Sequence, residues 1–229
     1  MSISIPIITI DGLSSSGKST ISQKLASKLN WYLLDSGILY RAVGFLLKRE
    51  NISPSDEILI DRIVRDIDLS LQLGGNYTIS YKDDNISKYL FAEDIGLLAS
   101  KVSQIEYIRT LLLKHQNMCA KHPGLIANGR DMGSKVFPQA ILKIFLIADL
   151  SKRAERRYKE LEGKKHSAVH SSLSLDNISN SLEKRDHSDI NRKASPLKAT
   201  YDSITIDTTN LNIDSILDKI LELYKISGV

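Results

Sequence analysis

The sequence has little cysteine: its 229 residues include one, Cys119. This excludes an intramolecular disulfide and any fold that cysteine pairs would stabilise. A chain without disulfides suits a reducing compartment, so we expect a cytoplasmic protein. Cys119 lies in an apolar, helix-like stretch without a nearby histidine or aspartate pattern. We therefore interpret it as a packed structural thiol.

Long apolar runs are also missing. The apolar stretch Ile3–Ile10 is much shorter than the ~20 residues that cross a bilayer, and no basic segment precedes it as in a signal peptide. We predict a buried strand there and no membrane association. Aromatic residues make up only 6% and do not alternate with basic ones, which argues against a nucleic-acid-binding module. The net charge of +4 suits an anionic ligand, but charge alone does not separate nucleotides from nucleic acid.

Strand and helix patterns alternate along the chain, which predicts an α/β fold with a parallel sheet and helices on both faces. The predicted strands are Ile3–Ile10, Trp31–Leu34, Gly124–Ala127, Ala140–Ile147 and Ser203–Ile206. The predicted helices are Gly17–Leu29, Ile38–Lys48, Asp94–Lys121 with a break near Ser103, Leu150–Glu162, and an amphipathic C-terminal helix that includes Ile213 and Tyr224.

Residues 68–89 depart from this alternation, because their apolar residues recur every second position. This period predicts a small antiparallel insert with strands around Leu69–Leu73, Tyr77–Tyr81 and Ile86–Leu90. A second departure is Gly163–Ser181, which is polar and rich in serine. We predict a mobile segment there.

A phosphate-binding loop is the strongest motif. Residues 12–19 read GLSSSGKS and match G-x-x-x-x-G-K-[ST] between a predicted strand and a predicted helix. The glycines let backbone N–H groups turn toward phosphates, Lys18 supplies a mobile charge, and the Ser19 hydroxyl suits Mg²⁺. The motif predicts ATP-type nucleotide binding but does not separate kinases from other nucleotide hydrolases. The predicted ATP-binding residues are Gly12, Leu13, Ser14, Ser15, Ser16, Gly17, Lys18, Ser19 and Thr20.

Arginines cluster where ligands bind in open parallel sheets. Arg130 and Asp131 follow a predicted strand directly, and the carboxyl ends of such strands form ligand sites. Further arginines are Arg41, Arg153, Arg156, Arg157, Arg185 and Arg192. Phosphoryl transfer needs such guanidinium groups to neutralise the phosphates. The alternative for any one of them is a surface pair on a solvated helix, such as Arg156 with Glu160.

Several stretches together resemble the bacterial cytidylate kinase family over nearly the whole chain. The matching stretches are IDG at 10–12 with the phosphate-binding loop, LLDSG at 33–37 with Tyr40 and Arg41, ASKVS at 99–103, GRDMG at 129–133 with VFP at 136–138, KIFL at 143–146, RAERR at 153–157, and RD at 185–186 with NR at 191–192. The resemblance implies a P-loop nucleoside monophosphate kinase fold with a five-stranded parallel sheet, a small antiparallel β insert and a short lid.

The resemblance also implies one kinase domain over residues 1–229. Its core would be 1–35, 122–150 and 195–229, its acceptor-binding region 36–121, and its lid 151–194. The implied substrates are ATP with Mg²⁺ held by Ser19, and CMP or dCMP, which would become CDP or dCDP. A monomer without nucleic-acid or membrane partners is expected.

Roles follow residue by residue from the same resemblance. Arg41 and Arg130 would hold the acceptor phosphate, while Lys18, Arg153 and Arg157, together with Arg130, would serve catalysis. The cytosine base would meet Ser36, Arg109, Asp131 and Arg192. The pentose would meet Arg185 and Asp189, with Ser100 hydrogen-bonded to Asp189.

The chain departs from the family pattern at Asn128, where an acidic residue is usual, at Phe91, where an arginine is usual, and in the length of the serine-rich segment. These differences concern rate, lid motion and contacts of the insert. Two other functions stay open. One is a kinase for a different nucleoside monophosphate, and the other is a P-loop regulatory or nucleic-acid-binding protein.

Overall fold

The structure, a computed structural model, describes residues 5–163 and 174–226. The strands in these ranges are β1 (Ile7–Gly12), β2 (Tyr32–Asp35), β3 (Ile67–Leu71), β4 (Tyr77–Tyr81), β5 (Asp84–Asn85), β6 (Leu125–Asn128), β7 (Leu142–Ile147) and β8 (Ile204–Asp207). The helices are α1 (Lys18–Leu29), α2 (Ser36–Arg49), α3 (Glu57–Arg65), α4 (Glu93–Val102), α5 (Glu106–Asn117), α6 (Leu150–Glu162), α7 (Leu175–Asn191) and α8 (Ile213–Ile226). None of these helices is both long and apolar enough to cross a bilayer.

The larger sheet of the described residues has five parallel strands in the order β2-β6-β1-β7-β8. Strand β1 is central, so that Ile10 lies opposite Asn128 on one side and Ile144 on the other. All six residues of β1 are buried, as expected for a parallel strand covered on both faces. The predicted fold class is confirmed. The first two residues of the predicted strand Ile3–Ile10 lie outside the described residues.

Helices cover both faces of this sheet through alternate residues of its strands. Ile7 packs in one apolar cluster with side chains of α2 and α5, and Ile8 packs in a second with side chains of α1 and α8. Successive strand residues face opposite ways, so one strand serves both clusters. The carboxyl ends of the strands stay open at one edge. Gly12, Asp35 and Asn128 lie at this edge.

The small insert is antiparallel, in the order β3-β4-β5, as predicted. The predicted third strand Ile86–Leu90 is wrong: β5 has two residues and a 3₁₀ turn over Ser87–Tyr89 follows. The Ser87 hydroxyl accepts the N–H of Ile79 at 2.9 Å, and the Asn85 side chain accepts the N–H of Ser87 at 3.0 Å. Polar side chains thus bind backbone groups that a longer ladder would use.

Helix α3 is an element that the sequence patterns above did not predict. Its side chains Ile60, Ile63 and Val64 are buried, at the spacing of one helix face. The Asp56 side chain caps it by accepting the N–H of Leu59 at 3.0 Å. The predicted break between α4 and α5 near Ser103 is confirmed.

Helix α7 begins inside the segment that we predicted to be mobile. Residues 164–173 of that segment lie outside the described residues, but α7 starts at Leu175, so the prediction is wrong from there onward. Ile178 and Leu182 pack with Ala154 and Leu161 of α6 in a third apolar cluster. The hydroxyl of Ser174 caps the helix by accepting the N–H of Asn177 at 3.1 Å.

Candidate active site

The loop that joins β1 to α1 has a backbone that only glycine allows at two points. Gly12 has a φ of 144°, and a Cβ atom there would lie 2.1 Å from the Leu146 carbonyl oxygen. Gly17, the residue before α1, has a φ of 95°. Positive φ values cost glycine little, so the chain turns tightly and presents the first N–H groups of α1 to the loop. This geometry suits the phosphates of a nucleotide.

Lys18 is a buried cation whose neighbouring negative charges do not compensate for its burial. Its side chain is buried, and Nζ donates to the Leu13 carbonyl at 2.5 Å and to the Ser16 hydroxyl at 3.5 Å. Burial lowers the pKa of Lys18 well below its usual value, and the charges of Arg130 and Arg185 lower it further. The protein's own carboxylates do not offset these effects. A phosphate group beside Nζ would.

Other basic side chains converge on the same place from different elements. Burial lowers the pKa of Arg185 to about 10, and the charges of Arg130, Arg41 and Arg157 add to the shift. Burial likewise lowers the pKa of Arg41. Cations from α2, α6, α7 and the loop after β6 therefore repel one another across one cleft. Such a cleft favours an anion.

Arg130 joins the phosphate-binding loop to helix α7. It lies in the segment 129–133 after β6, which we call the acceptor loop. Its Nη2 donates to the Ser14 hydroxyl at 3.1 Å, and its Nε donates to Asp189 Oδ2 at 2.8 Å. Arg130 therefore links the loop after β1 to the loop after β6 and to α7.

Asp131 lies in a buried group of charges beside Arg130. Its Oδ2 pairs with Nη2 of Arg109, and its Oδ1 lies 3.6 Å from Nη2 of Arg192. The guanidinium of Arg109 also lies over the ring of Tyr40, 5.5 Å from its centroid. A carboxylate held between two guanidinium groups offers an acceptor next to donors, a pattern that suits the polar edge of a base.

Asp189 has arginine partners on two sides, Arg130 at 2.8 Å and Arg192 at 3.9 Å. Burial raises the pKa of Asp189, but the charges of Arg130, Arg185 and Arg192 outweigh it and hold the pKa below its usual value. The hydrogen bond to Ser100 that the resemblance implied is not among the contacts of Asp189 in the structure. The carbonyl of Ser100 instead accepts the Ser103 hydroxyl at 2.9 Å.

The lid helices meet the phosphate-binding loop through Arg153 and Asp186. Nη1 of Arg153 donates to the Ser14 carbonyl at 3.1 Å and pairs with Asp186 Oδ2. Asp186 Oδ1 accepts the backbone N–H of Ser14 at 2.9 Å. The Arg153 and Asp186 side chains are both buried. They hold α6, α7 and the loop in one arrangement.

The neighbouring arginines of α6 differ from one another. Arg157 pairs with Glu160 at 2.9 Å and lies close enough to Arg41 to influence its pKa. Arg156 donates to the hydroxyl of Thr208 at 3.1 Å, and that hydroxyl in turn donates to the Ser16 carbonyl at 3.1 Å. Arg156 therefore contacts the phosphate-binding loop indirectly, through Thr208, and does more than form a surface ion pair.

Arg41 and Ser36 lie on α2, which begins at the carboxyl end of β2. Nη1 of Arg41 donates to the carbonyl of Leu90 at 2.8 Å, so the insert region holds this side chain. The Ser36 hydroxyl packs against the acceptor loop, where a Cβ atom on Gly129 would lie 2.6 Å from it. Both predicted residues thus border the cleft.

Ser19, the predicted metal ligand, has an exposed side chain at the start of α1. The amide of Asn128 donates to its hydroxyl at 3.3 Å. This leaves an oxygen at the phosphate-binding loop, and Mg²⁺ in such sites takes few protein ligands besides the nucleotide phosphates. The residues present therefore fit Mg²⁺ held mainly by the phosphates.

The sequence patterns assigned no role to Asp11, Asp186 or Thr208. Each acts through partners far along the chain: Asp186 contacts Ser14 across 172 residues, and Thr208 contacts Ser16 across 192. The sequence does carry a signal for Asp11, because it is the one charged residue in a strand that is otherwise uncharged and buried. An unpaired charge there would be costly, which indicates a specific partner.

The chain matches a protein family over most of its length. The family model described as "Cytidylate kinase" matches residues 8–226. The cytidylate kinase of Coxiella burnetii is 39% identical over 227 residues, covering 98% of this chain and 94% of its own. That of Pseudomonas fluorescens strain Pf-5 is 40% identical over 233 residues, covering 100% and 99%. Among solved structures, TT1252 from Thermus thermophilus has a TM-score of 0.47 at 17% identity, covering 99% of this chain and 100% of its own. The extent of the family match and the identity to these relatives show that the chain belongs to the cytidylate kinase family.

Proposed function

We propose that this protein transfers the γ-phosphoryl group of ATP to CMP or dCMP, which gives ADP and CDP or dCDP. One observation carries the proposal. Arg130, which bonds to Ser14 of the phosphate-binding loop, is followed directly by Asp131, which is held between Arg109 and Arg192. A side chain suited to a phosphate and one suited to a base are thus adjacent in the chain and close to the phosphate-binding loop, which supports the proposal.

Base recognition falls to Asp131 and its arginines. Cytosine presents an exocyclic amine beside ring acceptors, so a carboxylate accepts from the amine while a guanidinium donates to the acceptors. Uracil places a carbonyl where cytosine has the amine, which would leave the carboxylate facing another acceptor. Buried polar groups that lose their partner are costly, and such sites discriminate strongly.

Phosphoryl transfer needs positioning and charge neutralisation, because the acceptor phosphate is already a nucleophile and no side-chain base is required. Arg41 and Arg130 would hold the acceptor phosphate in line. Lys18, Arg153 and Arg157 would neutralise the group in transfer. The depressed pKa values of Lys18, Arg41 and Arg185 support this assignment, since bound phosphates would relieve the repulsion among these cations.

The pentose would lie near Arg185 and Asp189 of α7. Ser100 belongs to the same proposed shell, although its hydroxyl and Asp189 are not bonded in the structure. We assign Ser14–Ser16 and the other residues of 12–20 to the ATP phosphates. Ser19 would hold Mg²⁺, which when bound supplies positive charge to the phosphate oxygens.

A monomer is the form in which we expect the protein to act. The absence of disulfides supports a cytoplasmic location. Neither property is needed for the chemistry.

A coupled assay of ADP release tests the proposal directly, with CMP, dCMP, UMP, AMP and dTMP as acceptors at fixed ATP and Mg²⁺. We expect CMP and dCMP to give the highest kcat/KM. A maximum with AMP or dTMP would identify a different nucleoside monophosphate kinase. ADP release that does not depend on any acceptor would contradict the proposal.

A further inference from the structure

Asp11 is a buried carboxylate at the end of β1 that the reaction scheme above does not use. It is 6% exposed, and both of its oxygens are occupied. Oδ1 accepts the backbone N–H of Met132 at 2.9 Å, and Oδ2 accepts the N–H of Gly133 at 2.8 Å. Asp11 is followed directly by Gly12, the first residue of the phosphate-binding loop. The donor side of the cleft is thus bonded to the acceptor loop.

The two N–H groups that Asp11 accepts open a single π-helical turn, Met132–Val136. The first N–H groups of a helical turn lack partners within it, and the side chain of the preceding residue is the usual acceptor, with aspartate among the best. The preceding residue here is Asp131. Its side chain makes no such bond, because it points to Arg109 and Arg192.

Asp11 thus caps the π-helical turn, a role that the residue before the turn, Asp131, would ordinarily have. Without Asp11, the carboxylate of Asp131 would be drawn toward the N–H groups that follow it, because a buried N–H without an acceptor is costly. With Asp11 in place, those N–H groups are satisfied and the Asp131 carboxylate remains with its arginines.

Close packing fixes the same contact from the loop side. A Cβ atom on Gly133 would lie 2.8 Å from the Thr9 hydroxyl and 3.2 Å from the Lys143 side chain, so the loop lies directly on β1.

The ionisation of Asp11 depends on its buried surroundings. Burial raises the pKa of Asp11 to about 6, and the negative charge of Asp131 adds to this rise. The two N–H bonds and the positive charge of Lys18 lower the pKa in part. Asp11 is therefore mainly ionised at neutral pH and accepts both N–H groups.

We propose that Asp11 is a positioning residue for acceptor recognition: by capping the turn at Met132 and Gly133, it frees the Asp131 carboxylate and fixes Arg130 and Asp131 against the acceptor. This inference rests on the proposed function for the role of Asp131. The capping itself does not depend on that function.

Asp11→Asn provides the test. In the variant, the amide oxygen still accepts one of the two N–H groups. The amide NH₂ faces the other N–H, so that hydrogen bond is lost and two hydrogen-bond donors lie against each other. Bonds to charged groups are among the stronger ones, and we expect KM for CMP to rise by about tenfold while KM for ATP changes by less than about twofold. The preference for CMP over UMP should fall as well. Amide hydrogen exchange at Met132 and Gly133 should speed up, which is a readout independent of activity.

Asp56→Asn is the matched control, because Asp56 caps α3 by accepting the N–H of Leu59 and lies outside the proposed machinery. It makes the same chemical change and should leave both KM values as in the wild type. Gly133→Ala is the second test variant. Its methyl group should push the loop away from Asp11, and we expect the same rise in KM for CMP.

Equal changes in the KM values for CMP and ATP, or unchanged exchange at Met132 and Gly133, would overturn the proposal. Loss of folding in both Asp11→Asn and Gly133→Ala would overturn it too, since Asp11 would then serve the whole fold rather than this loop. A wild-type protein that fails to phosphorylate CMP contradicts the proposed function instead, and the exchange measurement would still decide the capping.

Discussion

Arg130 and Asp131 are adjacent in the chain, but their side chains have different partners. Arg130 bonds to Ser14 and Asp189, whereas Asp131 pairs with Arg109. Asp11 accepts the N–H groups of the two residues that follow them, Met132 and Gly133, so neither side chain has to cap the turn that begins there. Two consecutive residues can thus serve the phosphate and the base of one acceptor.

Lys18 lends itself to a test that separates catalysis from stability. Lys18→Ala should lower kcat by about a hundredfold or more, because a charge aimed at the transferring group is removed. Burial holds the folded-state pKa of Lys18 below its unfolded value. The charged form therefore costs stability below that folded pKa, and the cost disappears as pH rises above the unfolded value. We expect the melting temperature of Lys18→Ala to be unchanged or higher at pH 7.

Lys24→Ala is the control on the same helix, since Lys24 is half exposed and pairs with Asp214 at the surface. It should leave kcat unchanged. Turnover of Lys18→Ala at the level of Lys24→Ala would contradict the role of Lys18, and a large fall in its melting temperature would show that the lysine stabilises the fold.

Helices α6 and α7, the lid in the proposed scheme, lie against the phosphate-binding loop. They pack on each other through Ile178 and Leu182 against Ala154 and Leu161. The buried polar link that joins both helices to the loop directly is the Arg153–Asp186 pair with its bonds to Ser14. We therefore expect closure of the lid to be sensitive to a substitution in this pair.

Asp186→Asn should weaken this closure. The amide keeps an acceptor for Ser14 but leaves the buried Arg153 without its countercharge, which is costly. We expect kcat to fall by about tenfold and the share of ATP lost to hydrolysis to rise, because a loosely closed site admits water. Phosphate release and CDP formation, measured in parallel, give this share. Asp176→Asn, at an exposed position of α7, is the control. If the share of ATP lost to hydrolysis were unchanged in Asp186→Asn, the role of Asp186 in closure would be contradicted.

The elements that sequence patterns predicted well are those whose periodicity arises from the large sheet and its covering helices. The errors occurred where local polar contacts decide the structure. Ser87 binds the backbone of Ile79 and ends the insert's last strand early. Ser174 caps α7, whose apolar face of Ile178 and Leu182 is too narrow to stand out among serines.

Positions of site residues were predictable where a motif fixes them, as in the phosphate-binding loop. Their partners were not. The bond from Asp11 to Met132 spans 121 residues, and the bond from Asp186 to Ser14 spans 172. Such contacts follow from the packing of the sheet and the lid, and a single sequence carries no local signal for them.

At the scale of the whole molecule, the cleft gathers cations from four elements and has too little negative charge of its own to balance them. Nucleotides should therefore stabilise the fold by binding. At a hundredfold excess over Kd, a ligand adds about 2.7 kcal/mol to the free energy of unfolding. For a chain of this length, we expect the melting temperature to rise by about 5–10 °C.

Differential scanning calorimetry with ADP, CMP and both together measures this effect. The increase should be smaller in Lys18→Ala for ADP and unchanged for CMP. An equal loss for both ligands would contradict the division of the cleft into a donor and an acceptor side.

The most direct measurement is kcat/KM for CMP and for UMP in the wild type and in Asp131→Asn. The amide offers both a donor and an acceptor, so it no longer rejects uracil. Discrimination by one such hydrogen-bonded pair is worth about 1–3 kcal/mol. We predict that the CMP/UMP ratio falls by about tenfold or more, with CMP losing most of its activity and UMP losing less. Were the two substrates to lose activity by the same factor, Asp131 would organise the site without reading the base, and the assignment of the acceptor site would be wrong.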